Sequence, residues 1–195
     1  LNLPLYLTLS RVLLGPIFIA VYLYHQEIGI SLTWLPFCLI FLAVISELSD
    51  LFDGFFARRH NKVTELGKIL DPMADSIFRL SAFFAFSQGI VQIPLLYVII
   101  FFYRDSLIST LRTVCALRGF TLAARRSGKI KAVVLAVVMF FILVLMIPYS
   151  MNLITLATLR DFGSWAVLLA AIYVVYTGYE YIYANRSYIK KILSF

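Results

Sequence analysis

Four carboxylates, Asp50, Asp53, Asp71 and Asp75, stand close together in a chain that is 62% hydrophobic. Asp50 and Asp53 are three residues apart and Asp71 and Asp75 four apart, so on two helices each pair shares one face. An ionisable side chain at membrane depth costs at least about 2.5 to 3.5 kcal/mol, so four together cost on the order of 10 kcal/mol unless something offsets the charge. Bound divalent cations would offset it. Carboxylate oxygens with no His or Cys nearby in sequence suit a hard ion such as Mg2+ or Mn2+ rather than zinc, and four of them suffice to bridge two ions. A two-metal site stabilises the attacking and leaving oxygens of a phosphoryl displacement.

The residues around the acids fit a phosphorylated ligand. Gly54 precedes Arg58 by four residues, which sets a missing side chain beside a guanidinium and lets such a ligand approach the backbone and pair with the Arg. Gly67, one turn before Asp71, offers the same clearance on the second helix. Pro72 removes a backbone donor and either distorts the helix there or marks its first turn. Glu47, one turn before Asp50, is open between a neighbouring acid and the partner of a base. Any one of these acids could be a solvated helix tip, and each glycine a packing glycine; the set as a whole is not explained that way. A divalent-cation transporter would also use four carboxylates, but a cation path gains nothing from the adjacent Arg58.

The elements that must position these residues are membrane helices. The chain has 195 residues, 14% of them charged, and a mean hydropathy of +0.93. Apolar runs near the roughly 20 residues that a spanning helix needs fill almost all of it, which predicts one domain over 1–195. Six spans are expected, at about 12–24, 32–56, 67–86, 94–117, 132–147 (ended by Pro148) and 163–184. A short N-terminal interfacial segment precedes them, and the first run is expected to be a retained helix rather than a signal peptide. Lys and Arg gather in the 58–68 connector, the 118–131 connector and the C-terminus, whereas the alternate connectors hold only Arg160. By the positive-inside rule both termini and the acidic cluster face the cytoplasm of the cell membrane. The net charge of +7 is explained by topology and anionic headgroups, as for Arg118, Arg125 and Arg126, and not by nucleic acid. Cys38 and Cys115 lie in apolar runs without ligand spacing and read as packing residues.

The run Asp50-x2-Asp53-Gly54-x2-Ala57-Arg58-x8-Gly67-x3-Asp71-x3-Asp75 resembles the complete signature of the CDP-alcohol phosphotransferases, integral membrane enzymes of phospholipid synthesis. The resemblance implies an all-α fold of six transmembrane helices around a polar cavity open to the cytoplasm, commonly as a homodimer. It implies that Asp50, Asp53, Asp71 and Asp75 hold two divalent cations, that Asp75 is also the general base, and that Gly54, Ala57, Arg58 and Gly67 line the CDP site with Ser49 beside the nucleotide. The likeness extends to the phosphatidylglycerophosphate synthases through Asn2-Leu3-Pro4 with Leu7-Thr8 and Arg11, the stretch from Arg104-Asp105 to Leu111-Arg112, and Ser127-Gly128-Lys129-Ile130-Lys131. Such enzymes move a phosphatidyl group from CDP-diacylglycerol to glycerol 3-phosphate and release CMP; inositol phosphate, serine or choline are the other acceptors considered. Asp105 stands where Glu is usual, Ser76 where Lys commonly follows the last Asp, and Ala132 where Thr is common.

The cations also point to the acceptor. Arg104 and Arg112 are eight apart, close to one face of the fourth span, and Arg79 is one turn beyond Asp75. Unpaired arginines inside a membrane protein are costly and an anionic ligand satisfies them. Together with Lys129 and Lys131 they are expected to form a cationic pocket for a phosphate-bearing alcohol.

Overall fold

A computed structural model describes the backbone of residues 3–59, 65–117 and 126–193, and the side chains of 11–49, 76–115, 117 and 126–189. Seven helices and no strand occur among the described residues: α1 (Leu3–Leu23), α2 (Leu35–Arg59), α3 (Glu65–Phe86), α4 (Leu95–Leu117), α5 (Arg126–Ser150), α6 (Leu156–Ala184) and α7 (Arg186–Leu193). Two of them, α5 and α6, are long and apolar enough to cross a membrane, and shorter apolar helical stretches cover Arg11–Leu23, Leu35–Ser49 and Ser76–Phe86.

The apolar runs become helices because lipid offers the backbone no hydrogen-bond partner, so every N–H and C=O must be satisfied within its own segment. Where the helices stop is set by polar and left-handed residues. Pro148 does not end α5, since a proline removes only its own bond to the preceding turn. The helix runs on to Ser150 and closes with Asn152 at φ 58; Asn152 N–H donates to Tyr149 O at 3.0 Å and Leu153 N–H to Pro148 O at 2.9 Å. Thr155 then caps α6, accepting from Thr158 N–H at 3.2 Å, so this helix starts seven residues before the expected 163. Asn185 separates α6 from α7, a helix the hydropathy did not announce, by donating side-chain and backbone N–H to Tyr181 O at 2.8 and 3.2 Å. The backbone of the expected N-terminal interfacial segment is continuous with α1 from Leu3.

The core holds α3 in place. Phe18 and Tyr22 of α1 meet Phe78 and Phe86 of α3 edge to face at 5.6 to 5.8 Å, and Phe83 of α3 meets Phe101 of α4 at 5.1 Å. At Gly15 the helices are so close that a Cβ there would lie 2.7 Å from Ser81 Oγ. One end of the bundle is tied by the 88–93 loop: Tyr22 Oη accepts from Ile90 N–H at 3.1 Å and Val91 N–H at 2.9 Å and donates to Gln88 O at 3.2 Å. Arg160 of α6 donates Nε to Ile90 O at 3.0 Å. The outward faces are apolar and aromatic, as with Trp165, Leu169 and Ile172 of α6, which are 60 to 66% exposed; a water-facing helix would invert that pattern.

Candidate active site

The acidic signature falls on two consecutive helices. Asp50, Asp53, Gly54, Ala57 and Arg58 are in the last part of α2, and Gly67, Asp71 and Asp75 are in the first part of α3. Both segments are helical throughout, so each Asp pair shares a helix face as its spacing requires. Because α3 begins at Glu65, Pro72 is inside the helix and not in its first turn. The side chains of Asp50, Asp53, Gly54, Ala57, Arg58, Gly67, Asp71 and Asp75 lie outside the described residues. Among the described residues no three His, Cys, Asp or Glu side chains gather as metal ligands. Ser49, the last described side chain before the acids, is buried.

The cations expected at the acceptor are described in full and they divide. Arg104 and Lys131 come together on Asp105: Lys131 Nζ is 2.6 Å from Oδ1 and 2.8 Å from Oδ2, and Arg104 Nη1 is 3.1 Å from Oδ1. Ser76 Oγ donates to Oδ2 at 3.1 Å. Two of the three departures from the family pattern, Ser76 and Asp105, are therefore in contact. Lys131 is buried although Lys129 is exposed; two residues apart on one helix they face different ways, so α5 does not bring them to one pocket wall.

Arg79 is occupied elsewhere. Its Nε and Nη2 donate to Glu47 Oε1 and Oε2 at 3.2 and 3.3 Å, a two-point pair joining α3 to α2. That assigns Glu47 the role of partner to a base. Arg112 meets no acid among the described residues; its Nε donates to Tyr181 Oη at 3.1 Å and its guanidinium lies 5.3 Å from the Tyr181 ring centre.

Two contributors were not singled out from the sequence. Tyr181 holds Arg112, and Gly178 makes room for Arg104, whose Cγ would lie 3.3 Å from a Cβ at that position. The polar run Thr177-Gly178-Tyr179-Glu180 inside an otherwise apolar helix was an available signal for both.

This geometry can bind an anion. Arg104 and Lys131 carry two positive charges against the one of Asp105, and Arg104 Nε is buried with no hydrogen-bond partner among the described residues. A donor buried that way is costly unless a ligand reaches it.

A family model described as CDP-alcohol phosphatidyltransferase matches residues 1–177. The chain is 29% identical over 190 residues to the CDP-diacylglycerol–glycerol-3-phosphate 3-phosphatidyltransferase of Rickettsia typhi, covering 96% of this chain and 98% of the relative. It is 31% identical over 197 residues to the protein of the same name from Bacillus subtilis, covering 97% of each. Against the same-named protein of Escherichia coli, identity is 41% over 76 residues, 39% of this chain and 38% of the relative.

Proposed function

The chain belongs to the CDP-alcohol phosphatidyltransferase family, and from that premise we propose that it transfers the phosphatidyl group of CDP-diacylglycerol to glycerol 3-phosphate, releasing CMP. The observation that carries this reading is the complete set of eight signature residues, at the end of α2 and the start of α3, in a chain that aligns nearly end to end with relatives of that name.

In the reaction the acceptor hydroxyl oxygen attacks the phosphorus that bears the diacylglycerol. The bond from that phosphorus to the bridging oxygen of the diphosphate breaks, and CMP leaves with that oxygen. Asp75 takes the hydroxyl proton. Arg58 pairs with the diphosphate, Gly54, Ala57 and Gly67 leave clearance for the CDP, and Ser49 sits next to the nucleotide. Asp50, Asp53, Asp71 and Asp75 are hard oxygen donors paired on two helices, a set that fits Mg2+ or Mn2+. Two such ions, when bound, neutralise the charge that develops on the diphosphate. Arg104 and Lys131 take the phosphate of the acceptor, with Arg112 contributing further along α4. Arg79, matched by Glu47, and the exposed Lys129 add to the local positive potential without gripping the ligand.

Helices α1 to α6 serve as the six membrane spans, with the acidic cluster, both termini and a polar cavity on the cytoplasmic side, where CDP-linked lipid and polar alcohol meet. The enzyme works as a homodimer in the inner membrane. The test is direct: purified protein receives CDP-diacylglycerol and Mg2+ with glycerol 3-phosphate, inositol phosphate, serine or choline, and both the lipid formed and the CMP released are identified. Phosphatidylglycerophosphate with stoichiometric CMP is expected. Another lipid would change the acceptor, and no CMP with any alcohol would overturn the reaction class.

A further inference from the structure

An acid in a pocket built to receive an anion weakens that pocket by repulsion, so Asp105 needs a reason of its own. Its side chain is 12% exposed, and both oxygens are engaged twice: Oδ1 by Lys131 and Arg104, Oδ2 by Lys131 and Ser76. The donors come from three helices, α5, α4 and α3. Lys131 and Arg104 bond the same oxygen, which keeps two mutually repelling cations within reach of a single phosphate. Arg104 retains a buried Nε without a partner among the described residues. Gly128 of α5 lies beside its guanidinium, where a Cβ would make ordinary contact with Nη2 at 3.9 Å. Ser76 directly follows Asp75 in α3, so its bond to Asp105 ties the cation pair to the helical turn that carries the proposed base.

We propose that Asp105 is the positioning residue of the acceptor pocket: it holds Lys131 of α5 and Arg104 of α4 together as one phosphate grip and, through Ser76, sets that grip against the turn of Asp75. The inference rests on the reading of the protein as a transferase to a phosphate-bearing alcohol. Asp105 itself touches no substrate. It acts through the two cations, so its removal should alter acceptor affinity more than the handling of CDP-diacylglycerol.

The experiment is steady-state kinetics on purified full-length protein, with both Michaelis constants measured for the parent and for D105N, D105E, S76A, K131Q and K131Q/D105N. Asp105→Asn should raise KM for glycerol 3-phosphate about ten- to a hundredfold and leave that for CDP-diacylglycerol within about twofold. Asp105→Glu returns the charge and should bring KM for glycerol 3-phosphate back to within about threefold of the parent. Ser76→Ala should raise it about fivefold, less than Asp105→Asn, because it removes one contact to Asp105 and leaves both cations on the carboxylate. In the K131Q background the Asp105→Asn change should add less than about threefold, because the grip is already broken. A merely structural Asp105 would lower the yield of active enzyme and leave the two constants where they were. An unmoved KM for glycerol 3-phosphate in D105N, or a parallel rise in both constants, overturns the proposal. If D105N does not fold, S76A decides: an unchanged KM for glycerol 3-phosphate overturns it. A parent enzyme that accepts no phosphate-bearing alcohol fails the acceptor reading, and the Asp105 grip with it. A parent that uses glycerol 3-phosphate, with variants that keep its KM, fails the Asp105 inference alone.

Discussion

Tyr22→Phe removes a single oxygen and isolates what one hydroxyl contributes to the end of the bundle away from the acids. That oxygen accepts from two consecutive backbone N–H groups, Ile90 at 3.1 Å and Val91 at 2.9 Å, and donates to Gln88 O at 3.2 Å. Val91 is fully buried, Ile90 partly, and Gln88 exposed. The carbonyl of Gln88 can turn to solvent at little cost. The Val91 N–H cannot, and a buried donor left unpaired costs about 1 to 3 kcal/mol, with a fraction of that added for Ile90. Ring packing is preserved, because phenylalanine keeps the edge-to-face contact with Phe86 at 5.6 Å. The expected loss is therefore about 2 to 4 kcal/mol, or roughly 5 to 15 °C in apparent Tm for a chain of this size. Thermal unfolding in detergent, followed by tryptophan fluorescence, measures it. Turnover per folded molecule should stay within about twofold of the parent, since Phe86 at the tied end of α3 is about 16 Å along the helix from Asp75. A Tm within about 2 °C of the parent would refute the assignment of the loop's anchorage to this hydroxyl. A loss of turnover in fully folded protein would refute the separation of the two ends.

EDTA should abolish CMP release and excess Mg2+ or Mn2+ should restore it; full activity after complete chelation would sink the two-ion reading of the four Asp residues. Asp75→Asn should reduce turnover by about a hundredfold or more while binding of CDP-diacylglycerol changes far less, measured by direct lipid-binding titration; an equal loss of binding would assign Asp75 to ligation alone. Gly15→Ala should cost about 1 to 3 kcal/mol by pushing α1 from α3, since its Cβ would meet Ser81 Oγ at 2.7 Å and Ser81 Cβ at 3.2 Å. Pairing it with Ser81→Gly should recover at least half of the lost Tm, and no recovery would place the strain elsewhere.

Much of the architecture was legible because it depends on local properties of the chain. Apolar runs bounded by Pro94, by the 87–93 turn residues and by the basic connectors mark α2, α3 and α4 to within a few residues of their ends. The spacing of Asp50, Asp53, Gly54, Arg58, Gly67, Asp71 and Asp75 needs only that α2 and α3 be helical for the acids to pair on one face of each, and both are. The helix starts at Arg126 and Leu156 were missed because hydropathy marks where a segment turns apolar. The hydrogen-bond ladder continues into polar turns and obeys caps such as Thr155.

Which cation meets which acid was beyond the sequence. Arg79 and Glu47 are separated by 32 residues, Lys131 and Asp105 by 26, and Arg112 and Tyr181 by 69; no periodicity within one helix relates such partners. The five basic residues expected around one acceptor looked alike in sequence, as cations within or beside apolar runs. Packing of α2 on α3, α3 on α4 and α5, and α4 on α6 is what gave Arg79 an acid of its own, turned Lys129 outward, laid Arg112 on a tyrosine ring and left Arg104 with Lys131 on Asp105. Residue types and spacing determined the chemistry available to this chain, because helix geometry alone brings residues three and four apart to one face. The choice of cations for the acceptor belonged to the tertiary structure, because a buried charge takes its partner from whatever neighbouring helix the packing presents.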